Sequence, residues 1–177
     1  QAFLCSKILP KCWVVDADAL NILSGVPQWW QRQAENVILT PHPGEMARLT
    51  GLSVEEIQSN RLKVAREAAQ KWGKIVVLKG AYSVVAEPGG KARLSPFANS
   101  GLASAGTGDV LAGVIAGLAA QGLSPWEAAS CGVYLHGASG DTGRQELGSA
   151  GLLASDLLLA LPRTIKTLRG KGITWGG

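Results

Sequence analysis

Residues that bind soft metals are scarce in this chain. Its 177 residues include two histidines, His42 and His136, and three cysteines at positions 5, 12 and 131, none in a C-x-x-C arrangement. That argues against a structural zinc site. Thiols in odd number and without a pairing pattern suit a reducing, cytoplasmic compartment. The longest apolar run near the middle, Val110 to Ala120, is too short to cross a bilayer and argues against a membrane protein. Within it Gly113 and Gly117 have G-x-x-x-G spacing, expected here to permit close packing of a soluble helix. Two phosphate-binding motifs are missing. Gly101 to Thr107 resembles G-x-x-x-x-G-[KST] but lacks the lysine of a P-loop, and no G-x-G-x-x-G follows a strand. The opening residues, Gln1 to Cys5, have neither a start methionine nor a targeting pattern, so the chain is expected to begin inside a longer protein.

What is present suits a globular core. Hydrophobic residues make up 46% of the chain, too many for disorder. The formal net charge is +4, and four basic residues, Arg163, Lys166, Arg169 and Lys171, crowd the C-terminal end. Nucleic acid is one conceivable partner. No aromatic residues interleave with the cations, however, and basic residues also suit the negative end of a helix dipole, so no nucleic-acid partner is expected.

Trp13 to Asp16, Val37 to Thr40 and Ile75 to Leu78 read as short buried strands. Ser83 to Ala86 and Lys91 to Leu94 flank Pro88-Gly89-Gly90 and predict a hairpin. Ser53-Val-Glu-Glu56 is a capping box opening one helix, with Ile57, Val64, Ala65, Ala68 and Trp72 on a single stripe and Gly73 as its stop. Ser124-Pro125-Trp126-Glu127 opens another helix. A last helix, Leu157 to Leu168, should bend or break at Pro162. This alternation predicts an α/β fold, three layers (αβα) around a mostly parallel sheet, with residues 1–177 in one domain.

The segment with most chemical content runs from Asn99 to Asp109, Asn-Ser-Gly-Leu-Ala-Ser-Ala-Gly-Thr-Gly-Asp, directly into an apolar helix. Gly106 and Gly108 allow a tight turn whose amides converge at a helix start, an arrangement that attracts anions. Asp109 would then take a proton from a hydroxyl attacking a phosphoryl group, or else simply cap the helix. Thr40-Pro-His-Pro-Gly-Glu45 follows a strand at its carboxyl end, where ligands of α/β sheets bind. His42 would face a ligand there, or stand exposed in a stiff turn. Glu45 would order a metal-bound water, or stabilise the next helix through its dipole. Lys79 to Ser83 begins at another strand end and is either a ligand-approach turn or an ordinary β-turn. Asp16, Asp18 and Asn21 either face a polar ligand or cap a helix. His136, within a helix, reads as structural.

Six words in order, Asp16 to Asn21, Thr40 to Glu45, Lys79-Gly80, Asn99 to Gly113, Tyr134 to Gly137 and Gly151 to Asp156, resemble the NAD(P)H-hydrate dehydratase family of the ribokinase-like superfamily. The resemblance covers almost the whole chain. It implies a ribokinase-like αβα fold lacking its N-terminal part here. The implied reaction is nucleotide-dependent dehydration of damaged NADHX or NADPHX, with ADP or ATP as co-substrate and Mg²⁺ accompanying its phosphates. It assigns the catalytic base to Asp109 and hydrated-cofactor binding to His42, Asn21 and Asp109. Nucleotide binding falls to Lys79, Gly80, Ala81, Tyr82, Ser83, Gly106, Thr107 and Gly108, and the metal-linked role to Glu45. It further implies a homo-oligomer such as a tetramer, and an epimerase domain preceding this region in some gene products. The chain departs from the family at Ala105-Gly106, where two adjacent glycines are usual, and at Tyr82, where a small residue is expected. Rival readings are a small-molecule kinase of the same superfamily and a nucleotide-binding module without catalysis.

Overall fold

The computed structural model describes residues 12–32, 36–98, 102, 104–148 and 152–170. Cys5, Asn99, Gly101, Gly151 and Lys171, all noted above, lie outside the described residues. The chain forms two compact units, Gln1–Lys79 with Val84–Leu94, and Gly80–Ser83 with Ser95–Gly177.

The first unit carries the sheet. β1 (Trp13–Val15), β2 (Val37–Leu39) and β3 (Ile75–Leu78) pair in parallel, and β4 (Val84–Ala86) and β5 (Ala92–Leu94) continue it antiparallel. The sheet is therefore mixed, its parallel part confined to the strands joined by helical crossovers, as parallel pairing demands. β2 and β3 are buried along their whole length, as their unbroken β-branched runs predict. β1 differs from expectation: it ends the described strand order and is only half-buried. The hairpin forms as predicted, with Gly90 at φ 92° and its N–H donating to the Glu87 carbonyl oxygen at 3.0 Å.

Helices α1 (Asp18–Ser24), α2 (Pro43–Thr50), α3 (Val54–Ser59) and α4 (Arg61–Trp72) complete this unit. The Ser53–Glu56 capping box is present. The single helix expected after it is two, however, because the chain turns at Asn60 (φ −133°, ψ 34°) between α3 and α4. The apolar stripe survives the break: Ile57, Val64, Ala65, Ala68 and Trp72 are all buried in one core with Leu39, Met46 and Leu78. Gly73 ends α4 at φ 65°, a conformation that other residues adopt at a cost.

The second unit holds α5 (Thr107–Ala120), α6 (Pro125–Leu147) and α7 (Ala154–Gly170). The Ser124–Glu127 capping box opens α6 as expected. α7 runs through Pro162 as one helix, so of the expected bend or break it is not the break that occurs. Its buried residues Leu157, Ala160, Thr164 and Leu168 keep one face packed and hold the helix across the missing amide. Gly113 and Gly117 of α5 are exposed, and among the described residues nothing would lie within 4 Å of a Cβ at either, contrary to the expected close packing.

Close packing belongs to α6 instead. A Cβ at Gly132 would lie 2.5 Å from Ile115 Cγ1, and one at Gly140 2.7 Å from Leu102 Cδ2. Gly137 is covered by the Phe97 ring, which itself stands edge-on to Tyr134 at 5.3 Å. Gly132→Ala should therefore destabilise the protein by about 1–3 kcal/mol through overpacking, despite a helix-propensity gain near ~1 kcal/mol. Urea unfolding of the full-length protein measures this, and an unchanged midpoint would show that Ile115 moves aside freely.

Candidate functional site

Three strand ends in the first unit meet at one lysine. Lys79 follows β3, and its ammonium donates to Asp16 Oδ1, just past β1, at 2.6 Å. Its backbone N–H donates to the Pro41 carbonyl oxygen, just past β2, at 2.8 Å. Its ammonium also stands 3.8 Å from Glu45 Oε2. The side chains of Lys79 and Asp16 are 17% and 12% exposed, dry enough for the pair to be strong but costly to assemble. Between β1 and α1, Ala17 holds φ 51° and ψ −124°. Such a backbone costs a non-glycine residue on the order of 1 kcal/mol or more, and strain of this kind collects at sites.

The Thr40 to Glu45 segment is a reciprocal cap. His42 Nδ1 accepts from the amides of Gly44 (2.9 Å) and Glu45 (3.3 Å), while Glu45 Oε2 accepts from the His42 amide at 2.7 Å. Proline at the first helical position and glycine at the second both serve this geometry: a Cβ at Gly44 would lie 2.9 Å from His42 Cε1. With Nδ1 accepting, the neutral ring carries its hydrogen on Nε2, which lies 3.4 Å from Glu45 Oε1, and the side chain is half exposed. Glu45 is buried. Asn21, exposed on α1, accepts from Arg48 Nη1 through Oδ1 at 2.8 Å.

In the second unit, Gly80 (φ 135°) and Tyr82 (φ 53°) bend an exposed turn that Ser83 Oγ closes by donating to the Gly80 carbonyl oxygen at 2.9 Å. The Tyr82 amide donates to the Phe97 carbonyl oxygen at 2.9 Å, leaving the Ala81 and Tyr82 side chains outside. The glycine-rich loop leads into α5 with Gly106 at the N-cap position, φ 83°. Lacking a side chain, Gly106 offers nothing of its own to the amides of Thr107, Gly108 and Asp109. Asp109 is in the first turn of α5, three residues past Gly106, with an exposed side chain, so it is not the helix cap. Thr107 is buried, and its hydroxyl lies 2.6 Å from the Leu102 and 2.8 Å from the Ser104 carbonyl oxygen. His136 Nε2 donates to the Thr107 carbonyl oxygen at 2.8 Å and so holds the loop from α6, as a structural histidine.

The first unit's donor set does not fit a metal held by protein side chains. Among the described residues no group of three or more His, Cys, Asp or Glu is placed to hold one. Both Glu45 oxygens already face partners, and burial pushes the Cys12 thiol above its usual range, away from the thiolate that binds metal. An ion carried by a nucleotide's own phosphates needs fewer protein ligands.

Sequence reasoning named Asp16 only as one of three polar residues near a strand end; its pairing with Lys79 across 63 residues has no local signal. Arg61 was missed altogether. Its Nη2 donates to the carbonyl oxygens of Leu78 (3.0 Å) and Lys79 (3.2 Å).

Parallel strands joined by helical crossovers in the first unit, and a glycine-started helix in the second, place the chain among the α/β proteins. A sequence profile of the NAD(P)H-hydrate dehydratases matches residues 2–163, and the chain belongs to that family. It is 46% identical, over 93% of its length, to the bifunctional NAD(P)H-hydrate repair enzyme of Moorella thermoacetica, of which the match covers 32%. The ADP/ATP-dependent NAD(P)H-hydrate dehydratase of Bacillus subtilis, co-crystallised with ATP/Mg²⁺ and soaked with CoA, superposes with a TM-score of 0.78 at 41% identity. That match covers 87% of this chain and 55% of the other. A ribokinase-like superfamily protein of Enterococcus faecalis gives a TM-score of 0.77 at 29% identity, over 94% of this chain and 56% of the other. The chain thus spans about a third of the bifunctional relative and about half of the two solved chains. No helix among the described residues is long and apolar enough to cross a membrane.

Breaking the central pair should be costly. Among the described residues, Asp16→Ala leaves the Lys79 ammonium only Glu45 at 3.8 Å, and it should lower the unfolding free energy by about 3 kcal/mol at neutral pH. The exposed neighbour Asp18→Ala should cost no more than about 1 kcal/mol. Equal urea midpoints for the two variants would show that the pair contributes nothing.

Proposed function

We propose that residues 1–177 are the nucleotide-binding, C-terminal portion of a single ribokinase-like domain that dehydrates NADHX and NADPHX using ADP or ATP. The observation that carries this reading is the start of α5, where Gly106 puts no side-chain cap on the first-turn amides, of which Thr107's is turned to the Ser104 carbonyl oxygen at 3.3 Å, and Asp109 is exposed in that same turn. Amides at a helix start stabilise charge on a phosphoryl group in transfer. The neighbouring carboxylate is the natural acceptor for the attacking hydroxyl's proton.

Hydroxide is a poor leaving group. The ring hydroxyl oxygen therefore attacks the terminal phosphorus of the nucleotide, the bond to the departing ADP or AMP breaks, and the proton passes to Asp109. The carbon–oxygen bond then breaks, phosphate departs, and the adjacent ring carbon loses a proton to restore the double bond. Gly106 and Gly108 serve the nucleotide through their amides, while Thr107, whose hydroxyl and amide are both turned to loop carbonyls, serves it by holding that stretch of backbone. Gly80, Ala81, Tyr82 and Ser83 serve it as an exposed turn. Lys79 belongs to the same set, but its ammonium is held by Asp16 and does not act as a loose phosphate ligand. His42 and Asn21 serve the hydrated cofactor with Asp109. Glu45, with both oxygens turned to His42 and Lys79, would not be a ligand of any Mg²⁺ that the nucleotide brings. The assembly is a homo-oligomer, a tetramer by resemblance, working in the cytoplasm, and the full gene product can carry an epimerase domain ahead of this region.

Asp109→Asn in the full-length protein should slow dehydration by about a hundred- to ten-thousand-fold while ADP and ATP affinity changes little or improves, as a negative charge beside the phosphates is removed. NADHX and NADPHX turnover, followed by nicotinamide absorbance, and a nucleotide titration measure the two effects. Normal turnover in the variant would end the assignment of Asp109. A phosphorylated product accumulating without NADH in the parent protein would favour the kinase, and nucleotide binding without turnover the non-catalytic module.

A further inference from the structure

Arg61 occupies a position that helix stability alone does not favour. It opens α4, where the positive end of the helix dipole repels a cation, and the first turn contains no acidic residue to offset it. Its guanidinium is partly buried, its Nε is buried without a hydrogen-bond partner among the described residues, and burial draws its pKa below the usual arginine range. The groups facing it are uncharged: Gln58 Oε1, at 2.8 Å from Nη1, and the two carbonyl oxygens that end β3. What this arrangement achieves is a fork on one piece of backbone, the peptide units of Leu78 and Lys79. With the Lys79 amide on Pro41 and its ammonium on Asp16, the residue is held at its amide, its carbonyl and its side chain.

We infer that Arg61 is a positioning residue for nucleotide binding, setting the main chain at Lys79 from which the Gly80 turn departs. The inference rests on the proposed reading, in which Lys79 to Ser83 serve the adenine nucleotide. Arg61 touches neither nucleotide nor hydrated cofactor in this role. It acts through the carbonyl oxygens of Leu78 and Lys79, the last residues before that turn in the chain. A planar guanidinium can bind both oxygens with one nitrogen while a second nitrogen is fixed by Gln58; an ammonium has no such fixed geometry.

The test uses the full-length protein and Arg61→Ala, Arg61→Lys and Gln58→Leu variants, each checked for folding by circular dichroism. The expected result is a rise of about tenfold in Kd and KM for ADP and ATP in Arg61→Ala, the loss of charged hydrogen bonds. The kcat at saturating nucleotide and KM for NADHX should stay within about twofold, inside the range of a single weak contact. Arg61→Lys should not restore nucleotide affinity, and Gln58→Leu should weaken it less than Arg61→Ala. If Arg61→Ala does not fold, Arg61→Lys and Gln58→Leu decide by the same constants. Unchanged nucleotide affinity in folded variants overturns the role of Arg61 and leaves the proposed function standing. So does a fall in kcat with both KM values altered together, which marks general disruption. Failure of the parent protein to bind ADP or ATP overturns the proposed function and this inference with it.

Discussion

The first unit depends on one ion pair. Parallel strands end with their carbonyls and following loops at the same edge, and something must hold those loops in register where the ladder stops. Here Lys79 does so, joining the ends of β1 and β2 to its own strand through Asp16 and Pro41. A mostly buried ammonium is tolerable only because a carboxylate sits at 2.6 Å and a second one, Glu45, stands nearby. Glu45 in turn caps the helix that begins at His42–Pro43, so the charge that balances Lys79 also fixes the imidazole. Disturbing any member of this chain leaves another buried polar group without its partner.

The second unit solves a different problem: fixing the backbone that leads into α5. Glycine at the N-cap puts no side chain over the first-turn amides and cannot hold the turn. The holding is done from behind, by the Thr107 hydroxyl on the loop carbonyls and by His136 reaching across from α6. α6 can approach closely enough because its facing residues are glycines, over which Ile115, Phe97 and Leu102 lie directly. The Tyr134 to Gly137 word thus packs Tyr134 against Phe97 and holds the start of α5 through His136.

Much of this was legible in the residues because it is local. Capping boxes at Ser53 and Ser124 satisfy amides three residues away, and the Pro-Gly-Gly turn closes within its own hairpin, so short words suffice. The buried state of β2 and β3 followed from runs of β-branched residues with no polar alternation. The helix stop at Gly73 needed only a residue that tolerates positive φ. The failures share a cause as well. Periodicity placed Ile57 and Trp72 on one stripe and could not report the turn at Asn60, since both halves keep the same apolar face toward the core. At Pro162, local chemistry predicted a bend or a break, and α7 stays one helix there with Leu157, Ala160, Thr164 and Leu168 buried.

By itself, then, the sequence determined the α/β class, the strands and caps, and the words that identify the family, because these are written in neighbours along the chain. Tertiary structure alone decided what the polar residues of those words do. It turned His42 into a cap that uses its own Nδ1, and moved Asp109 from a possible cap to an exposed carboxylate in the first turn. It also tied the Lys79 ammonium to Asp16, and turned the chain at Asn60 so that Arg61 reaches the end of β3. A hydrogen bond between residues 63 positions apart depends on distance in space, and only folding brings Lys79 and Asp16 within 2.6 Å.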